Sequence, residues 1–192
     1  MSDTARTARL VVGIGGTTMA GSSTERALGC VLRQVETHGI ETRLFGGAHL
    51  AQLSLYTPGA QRSAAEIEFV DTVRRASGLV IASPGYHGSI SGLIKNALDH
   101  LEETARDPRV YLSNMPVGLV ATAYGWQATG STIAALRSIV HALRGWPTPF
   151  AAAINSAQAK FDAEGGCSDD RVPAQLATVG DQVAEFLTTR AA

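Results

Sequence analysis

The chain has 192 residues, 45% of them hydrophobic and 17% charged, and a net charge of −1. That size suits one domain with a sizeable core, and the balance is that of a folded globular protein. No basic excess exists to neutralise a phosphate backbone, which argues against nucleic acid, and no apolar run approaches the roughly 20 residues that span a bilayer.

Residues 1–9 read as a short polar tail, because no apolar segment with a cleavage site follows the two arginines. Cys30 and Cys167 stand far apart, without the spacing of a zinc site or a redox pair, so no metal site is expected. A disulfide between them stays open, and a reduced cytoplasmic protein is the simpler reading. The first strand spans residues 10–14, unbroken in its apolar character, as suits a parallel strand buried on both faces. Residues 22–38 form a helix with Ala27, Leu28, Val31, Leu32 and Val35 at three- and four-residue spacing, and Gly39 ends it. A weaker strand over 41–45 precedes an irregular segment over 46–62. A helix over 64–76, a strand over 78–83, a loop over 84–92 and a helix from 93 to about 103 follow. Strand 115–122, a helix from near 129 to 143, a short strand 149–154, a polar loop 155–171 and a helix 172–189 complete the chain. Strict alternation predicts a doubly wound α/β domain with a five-stranded parallel sheet in the order 2-1-3-4-5, occupying residues 1–192. Ligands in such sheets bind beyond the carboxyl ends of the strands, so the loops after strands one, three and four carry the chemistry.

The first of these loops holds Gly13, Gly15, Gly16 and Gly21 together with the hydroxyls of Thr17, Thr18, Ser22, Ser23 and Thr24. Glycines let a backbone approach an anion, and N–H groups, hydroxyls and a helix N-terminus then hold a phosphate. The segment lacks the Gly-Lys-Ser/Thr of a Walker loop, and Thr18 stands where a dinucleotide fingerprint needs its third glycine. A plain turn followed by a Ser/Thr helix cap is the competing reading.

The second loop is the most specific segment. Pro84, Tyr86, Gly88, Ser89, Ile90, Gly92, Lys95, Asn96, Ala97, Leu98 and Asp99 closely resemble the signature of the NADPH-dependent FMN reductase family, which runs T-P-E-Y-N-G-S-I-P-G-x-L-K-N-A-L-D. Gly16, Thr17, Ser22 and Thr24 fit that family's first-loop pattern, and Leu53–Tyr56, Phe161-Asp162 and Asp170-Arg171 match further along. The resemblance implies a flavodoxin-like fold that binds FMN and takes hydride from NADPH or NADH to flavin N5. No catalytic side chain is then required, because the cofactor carries the chemistry. It implies a phosphate site at Thr17, Met19, Ser22, Ser23 and Thr24, and a ring site at Pro84, Gly85, Tyr86, His87, Gly88 and Ser89. Thr122, Tyr124 and Gly125 of the third loop complete it. Tyr124 and Trp126 either cover the flavin or nicotinamide or pack in a subunit interface. Lys95, Asn96 and Asp99 read as helix-surface or interface groups, and Cys30 as core.

Three positions depart from the pattern. Met19 replaces an arginine, Gly85 an acidic residue and His87 an asparagine; His87 either donates to the flavin edge or is a surface residue. Without the arginine, FMN is expected to bind at micromolar strength and to exchange during turnover, unless Arg26, Arg144 or a neighbouring subunit restores the charge. The resemblance further implies a homodimer or homotetramer, small-molecule substrates and a flavin-dependent monooxygenase as partner. The alternatives are a bound-FMN reductase of quinones, azo compounds, nitroaromatics or metal oxyanions, and a non-enzymatic flavodoxin-like carrier. Such carriers are usually strongly acidic, against the net charge of −1 here.

Overall fold

Strand and helix alternate as the hydrophobic pattern dictates. In the computed structural model, which describes residues 9–162 and 166–189, the order is β1 (Leu10–Gly15), α1 (Ser23–Thr37), β2 (Glu41–Phe45), α2 (Gly47–Leu50), α3 (Ala64–Arg75), β3 (Gly78–Tyr86), β4 (Ser89–Ile90), α4 (Gly92–Asp99), β5 (Pro116–Ala123), α5 (Trp126–Ala142), β6 (Trp146–Asn155) and α6 (Arg171–Thr189). Residues 1–8 of the predicted tail and three positions of the polar loop lie outside the described residues.

Five strands pair in parallel in the order β2-β1-β3-β5-β6, and the short β4 lies off that path on β3. With β4 set aside, this is the expected 2-1-3-4-5 order. Both sheet faces are buried, because successive strand side chains point to opposite sides. Val12, Ile14, Leu79, Ile81 and Leu119 pack with Phe69, Ile94 and Leu136 of α3, α4 and α5. Val11, Val80, Ala82 and Val120 pack with Leu28, Val31, Val179 and Val183 of α1 and α6.

Several boundaries differ from the sequence expectation. β3 continues to Tyr86 rather than ending at Ser83, because Gly85 and Tyr86 pair antiparallel with Ile90 and Ser89. The segment predicted as a loop is therefore largely a hairpin. The helix predicted to about residue 103 ends at Asp99 and tightens into a 3-10 turn over His100–Thr104. α5 starts at Trp126, not near Thr129, from the non-helical backbone of Gly125. β6 starts at Trp146, with a register shift opposite Val117 and Leu119. It includes Pro147 and Pro149, which an edge strand tolerates because its outer N–H groups need no partner. α2 lies in the segment expected to be irregular.

Among the described residues no helix is long and apolar enough to cross a membrane, and no cluster of His, Cys, Asp and Glu is placed to hold a metal ion. Cys30 and Cys167 are both thiols, and Cys30 is only half-buried, with Arg33 Nη2 3.1 Å from its Sγ.

Candidate functional site

The parallel register brings the three predicted loops together. Gly15 at the end of β1 pairs with Ala82 of β3, and Pro84 of β3 pairs with Thr122 of β5. The loops after β1, β3 and β5 therefore leave one edge of the sheet side by side.

The first loop is held by its own polar groups. Thr17 Oγ1 accepts from the Met19 N–H at 3.2 Å, and Ser22 caps α1 by accepting from the Glu25 N–H at 3.3 Å. Thr24 is buried and shares a 2.5 Å hydrogen bond with Thr122 Oγ1, which ties the first loop to the third. Ser23 opens α1, whose N-terminus points free N–H groups at this edge. Met19 is exposed and offers no charge.

Two charged residues of α1 decide the shape of the loop. Glu25 reaches across to accept from the Gly47 N–H at 3.1 Å. The first turn of α2 then packs so closely that a Cβ at Gly47 would lie 1.6 Å from the Thr17 carbonyl oxygen. Arg26 folds back, and its Nε donates to the Gly21 carbonyl at 2.6 Å. Its Nη1 is buried without an acceptor. Arg144, the other named substitute for the missing charge, is at the opposite edge of the sheet. It follows α5 and lies 5.7 Å from the Tyr111 ring.

The second loop is a hairpin with His87 and Gly88 at its tip, at φ 49° and 87°. Positive φ at both central residues is the type I′ geometry that matches strand twist. Tyr86, His87, Gly88 and Ser89 are exposed, and Pro84 is buried. Ser83 anchors the hairpin base by accepting from the Ser91 N–H at 3.0 Å, and Ser91 in turn caps α4. The glycine at position 85 has a steric cause. A Cβ there would lie 2.5 Å from Thr132 Oγ1 and 3.0 Å from the Ala123 Cβ, so α5 occupies the space of the family's acidic side chain.

In the third loop Tyr124 is 83% exposed and Trp126 is half exposed, on either side of Gly125 at φ 134°. Both rings are at least half exposed, so the edge carries three exposed aromatics, Tyr86 among them.

Asn96 is not the surface group expected. Its Oδ1 accepts from the Tyr56 N–H at 2.9 Å and its Nδ2 donates to the Ser54 carbonyl at 2.9 Å. Buried His100 Nε2 lies 2.9 Å from that same carbonyl. Glu66 completes the clamp, since it accepts from the Ser54 hydroxyl and N–H and from the Ser63 N–H. These bonds, the Ser54 hydroxyl first, hold its carboxyl down to about 2. Lys95 and Asp99 do lie on the surface, paired at 2.6 Å.

Glu25, Gly47, Thr132 and the Asn96 clamp were not singled out by sequence reasoning. The Gly46-Gly47 dipeptide after a strand is a readable turn signal, but nothing in sequence couples it to Thr17. The assembled edge fits a group with a phosphate at one end and a flat ring at the other. A buried guanidinium nitrogen lacks an acceptor beside the capped helix N-terminus, and a rigid hairpin with uncovered aromatics lies next to it.

Comparison with known proteins agrees with that geometry. The profile of the family described as NADPH-dependent FMN reductase matches residues 10–159. The FMN-dependent NADPH-azoreductase of Staphylococcus haemolyticus (strain JCSC1435) is 30% identical over 182 residues, covering 91% of this chain and 93% of that protein. The protein of the same name from Staphylococcus aureus (strain USA300) is 27% identical over 179 residues, covering 90% and 92%. Among solved structures, the apo form of the NADH:FMN oxidoreductase EMOB superposes with a TM-score of 0.71 at 23% identity, covering 94% of this chain and 89% of that one. A flavodoxin from the domain Archaea gives 0.64 at 7% identity, covering 93% and 99%. At those identities the structures establish the flavodoxin-like fold.

Proposed function

The chain belongs to the NADPH-dependent FMN reductase family, and from that premise we propose that its three carboxyl-edge loops bind FMN and that a reduced nicotinamide delivers hydride to it. The observation that carries this reading is the convergence of a phosphate-type loop, a rigid hairpin and uncovered aromatics on one edge. FMN, when bound, supplies the two-electron chemistry, and this chain's residues bind and orient it. The first loop and the N-terminus of α1 address the phosphate through Thr17, Ser22, Ser23 and backbone N–H groups. The Thr24–Thr122 bond keeps the loop in register with the third loop. Pro84, Gly85 and the hairpin tip provide a wall for the ring, with His87 at its exposed end. Tyr124 and Trp126 cover the ring, the nicotinamide or a second subunit. A homodimer or homotetramer that buries these aromatics near the flavin is part of the proposal.

The fate of the electrons has two readings. In the first, reduced FMN leaves to serve a flavin-dependent monooxygenase in the cytoplasm. The exposure of Tyr86, His87, Gly88 and Ser89 favours it, since nothing among the described residues closes over the hairpin. In the second, FMN stays bound and reduces azo compounds or similar small acceptors. The names carried by the staphylococcal relatives favour that. The test is NADPH oxidation by extensively dialysed protein, with and without added FMN, beside titration of the apoprotein. Micromolar affinity and dependence on added FMN support the first reading, and nanomolar affinity with retained flavin supports the second. A chain that binds no FMN sinks both.

A further inference from the structure

A dianionic phosphate ester needs a cation or a dense set of donors. Three of the five hydroxyls of the first loop already have a partner within the chain. Thr17 bonds Met19, Ser22 caps α1 and Thr24 pairs with Thr122. Position 19, where the family pattern places an arginine, holds an exposed thioether.

Arg26 is built differently from a surface arginine. Its Nε is fixed on the Gly21 carbonyl at 2.6 Å, and its Nη2 lies 3.2 Å from where a Gly21 Cβ would be. The guanidinium therefore lies against the loop, and a side chain at position 21 would press on it. The remaining nitrogen, Nη1, is buried and has no acceptor. A buried charged donor left unpaired is costly, and no acceptor for Nη1 is present among the described residues.

We propose that Arg26, from the first turn of α1, supplies the positive charge for the phosphate of FMN that position 19 does not, and that it thereby sets preference for FMN over the unphosphorylated flavin. Because Nε is already held, the fork is oriented before the ligand binds, and little side-chain freedom is lost on binding. The inference rests on the flavin reading of the edge, but it is separable from the fate of the electrons.

The experiment titrates apoprotein separately with FMN and with riboflavin, following quenching of flavin fluorescence. In the unaltered chain FMN is expected to bind at least tenfold more tightly than riboflavin. Arg26→Gln is expected to weaken FMN tenfold or more and to change riboflavin less than twofold. Arg26→Lys, which keeps charge but loses the fork, is expected to fall between, and it serves if the glutamine variant does not fold. Loss of the Gly21 tether alone could also disturb the loop, so charge is tested by rescue. Adding Met19→Arg to Arg26→Gln should recover most of the FMN affinity without restoring the tether. The proposal is overturned if FMN and riboflavin weaken by the same factor, if FMN binding is unchanged in both variants, or if Met19→Arg gives no recovery. A wild-type chain that binds neither flavin overturns the flavin reading itself, whereas an Arg26→Gln variant that binds FMN as well as the parent overturns only the role of Arg26.

Discussion

Gly47→Ala is the sharpest structural test of the first loop. Helix preference alone favours the change, since alanine within a helix is better than glycine by about 0.5–1 kcal/mol. The contacts say the opposite. The new Cβ would lie 1.6 Å from the Thr17 carbonyl oxygen and 2.5 Å from its carbonyl carbon, both backbone atoms that no rotamer change can move. Either Thr17 shifts by well over an ångström, or α2 lifts and gives up the Glu25 bond to the Gly47 N–H. Overpacking of this kind costs roughly 1–3 kcal/mol. With the helix gain subtracted, a net loss of about 1–2 kcal/mol is expected, a fall in Tm of about 2–8 °C for a chain of this size. A displaced Thr17 also loses the place at the phosphate that we propose for it. One hydrogen bond to a charged oxygen is worth about 1.5–3 kcal/mol, or a roughly 10- to 100-fold rise in the FMN Kd. Thermal unfolding and fluorescence titration measure the two effects. Gly29→Ala in the interior of α1 is the control, because a Cβ there meets only the flexible Arg33 Nη1 at 3.5 Å, and its Tm should rise. If Gly47→Ala matches the parent in Tm and binds FMN within twofold, the proposed packing of the loop on α2 is wrong.

Two further outcomes are expected. Glu66 has a folded pKa of about 2 against an ordinary value of 4.5, so the stability it contributes is present above about pH 4.5 and is lost as pH falls toward 2. Glu66→Gln should therefore flatten the loss of stability across that window in acid unfolding followed by circular dichroism, and an unchanged slope would count against the clamp. Gly88→Ala places a side chain at φ 87° in the hairpin tip, at a cost of about 1–2 kcal/mol; a Tm equal to the parent's would show that the tip is not held in the type I′ turn.

What was legible in the sequence depended on how local its cause is. The central strands are apolar on both faces, so they could be read directly, and their alternation with helices gave the order. β3's extension was hidden because Pro84 reads as a strand terminator. Only the pairing of Gly85 and Tyr86 with β4 shows that the strand continues. A His-Gly pair is also a weaker turn signal than Asn-Gly. The missing arginine could be noticed but not resolved. Choosing between Arg26 and Arg144 required knowing that the first folds back onto Gly21 and the second sits at the far end of α5. Glu25's reach to Gly47 and Asn96's hold on Ser54 and Tyr56 join segments distant in sequence, and no spacing rule anticipates them.

The hairpin that ends β3 has a consequence for how anything enters and leaves this edge. β3 is hydrogen-bonded on both sides, to β1 and to β5, and its last residues fold over without a break into β4. That wall is anchored at its base, where Ser83 holds the Ser91 N–H and Pro84 pairs with Thr122, and only its exposed tip over residues 86–89 lies beyond the parallel sheet. The opposite wall is soft. Tyr124 and Gly125 sit between a strand end and a helix start that no side chain caps. A flavin bound as proposed would enter and leave past the loop after β5, with Gly125 at φ 134° as its hinge.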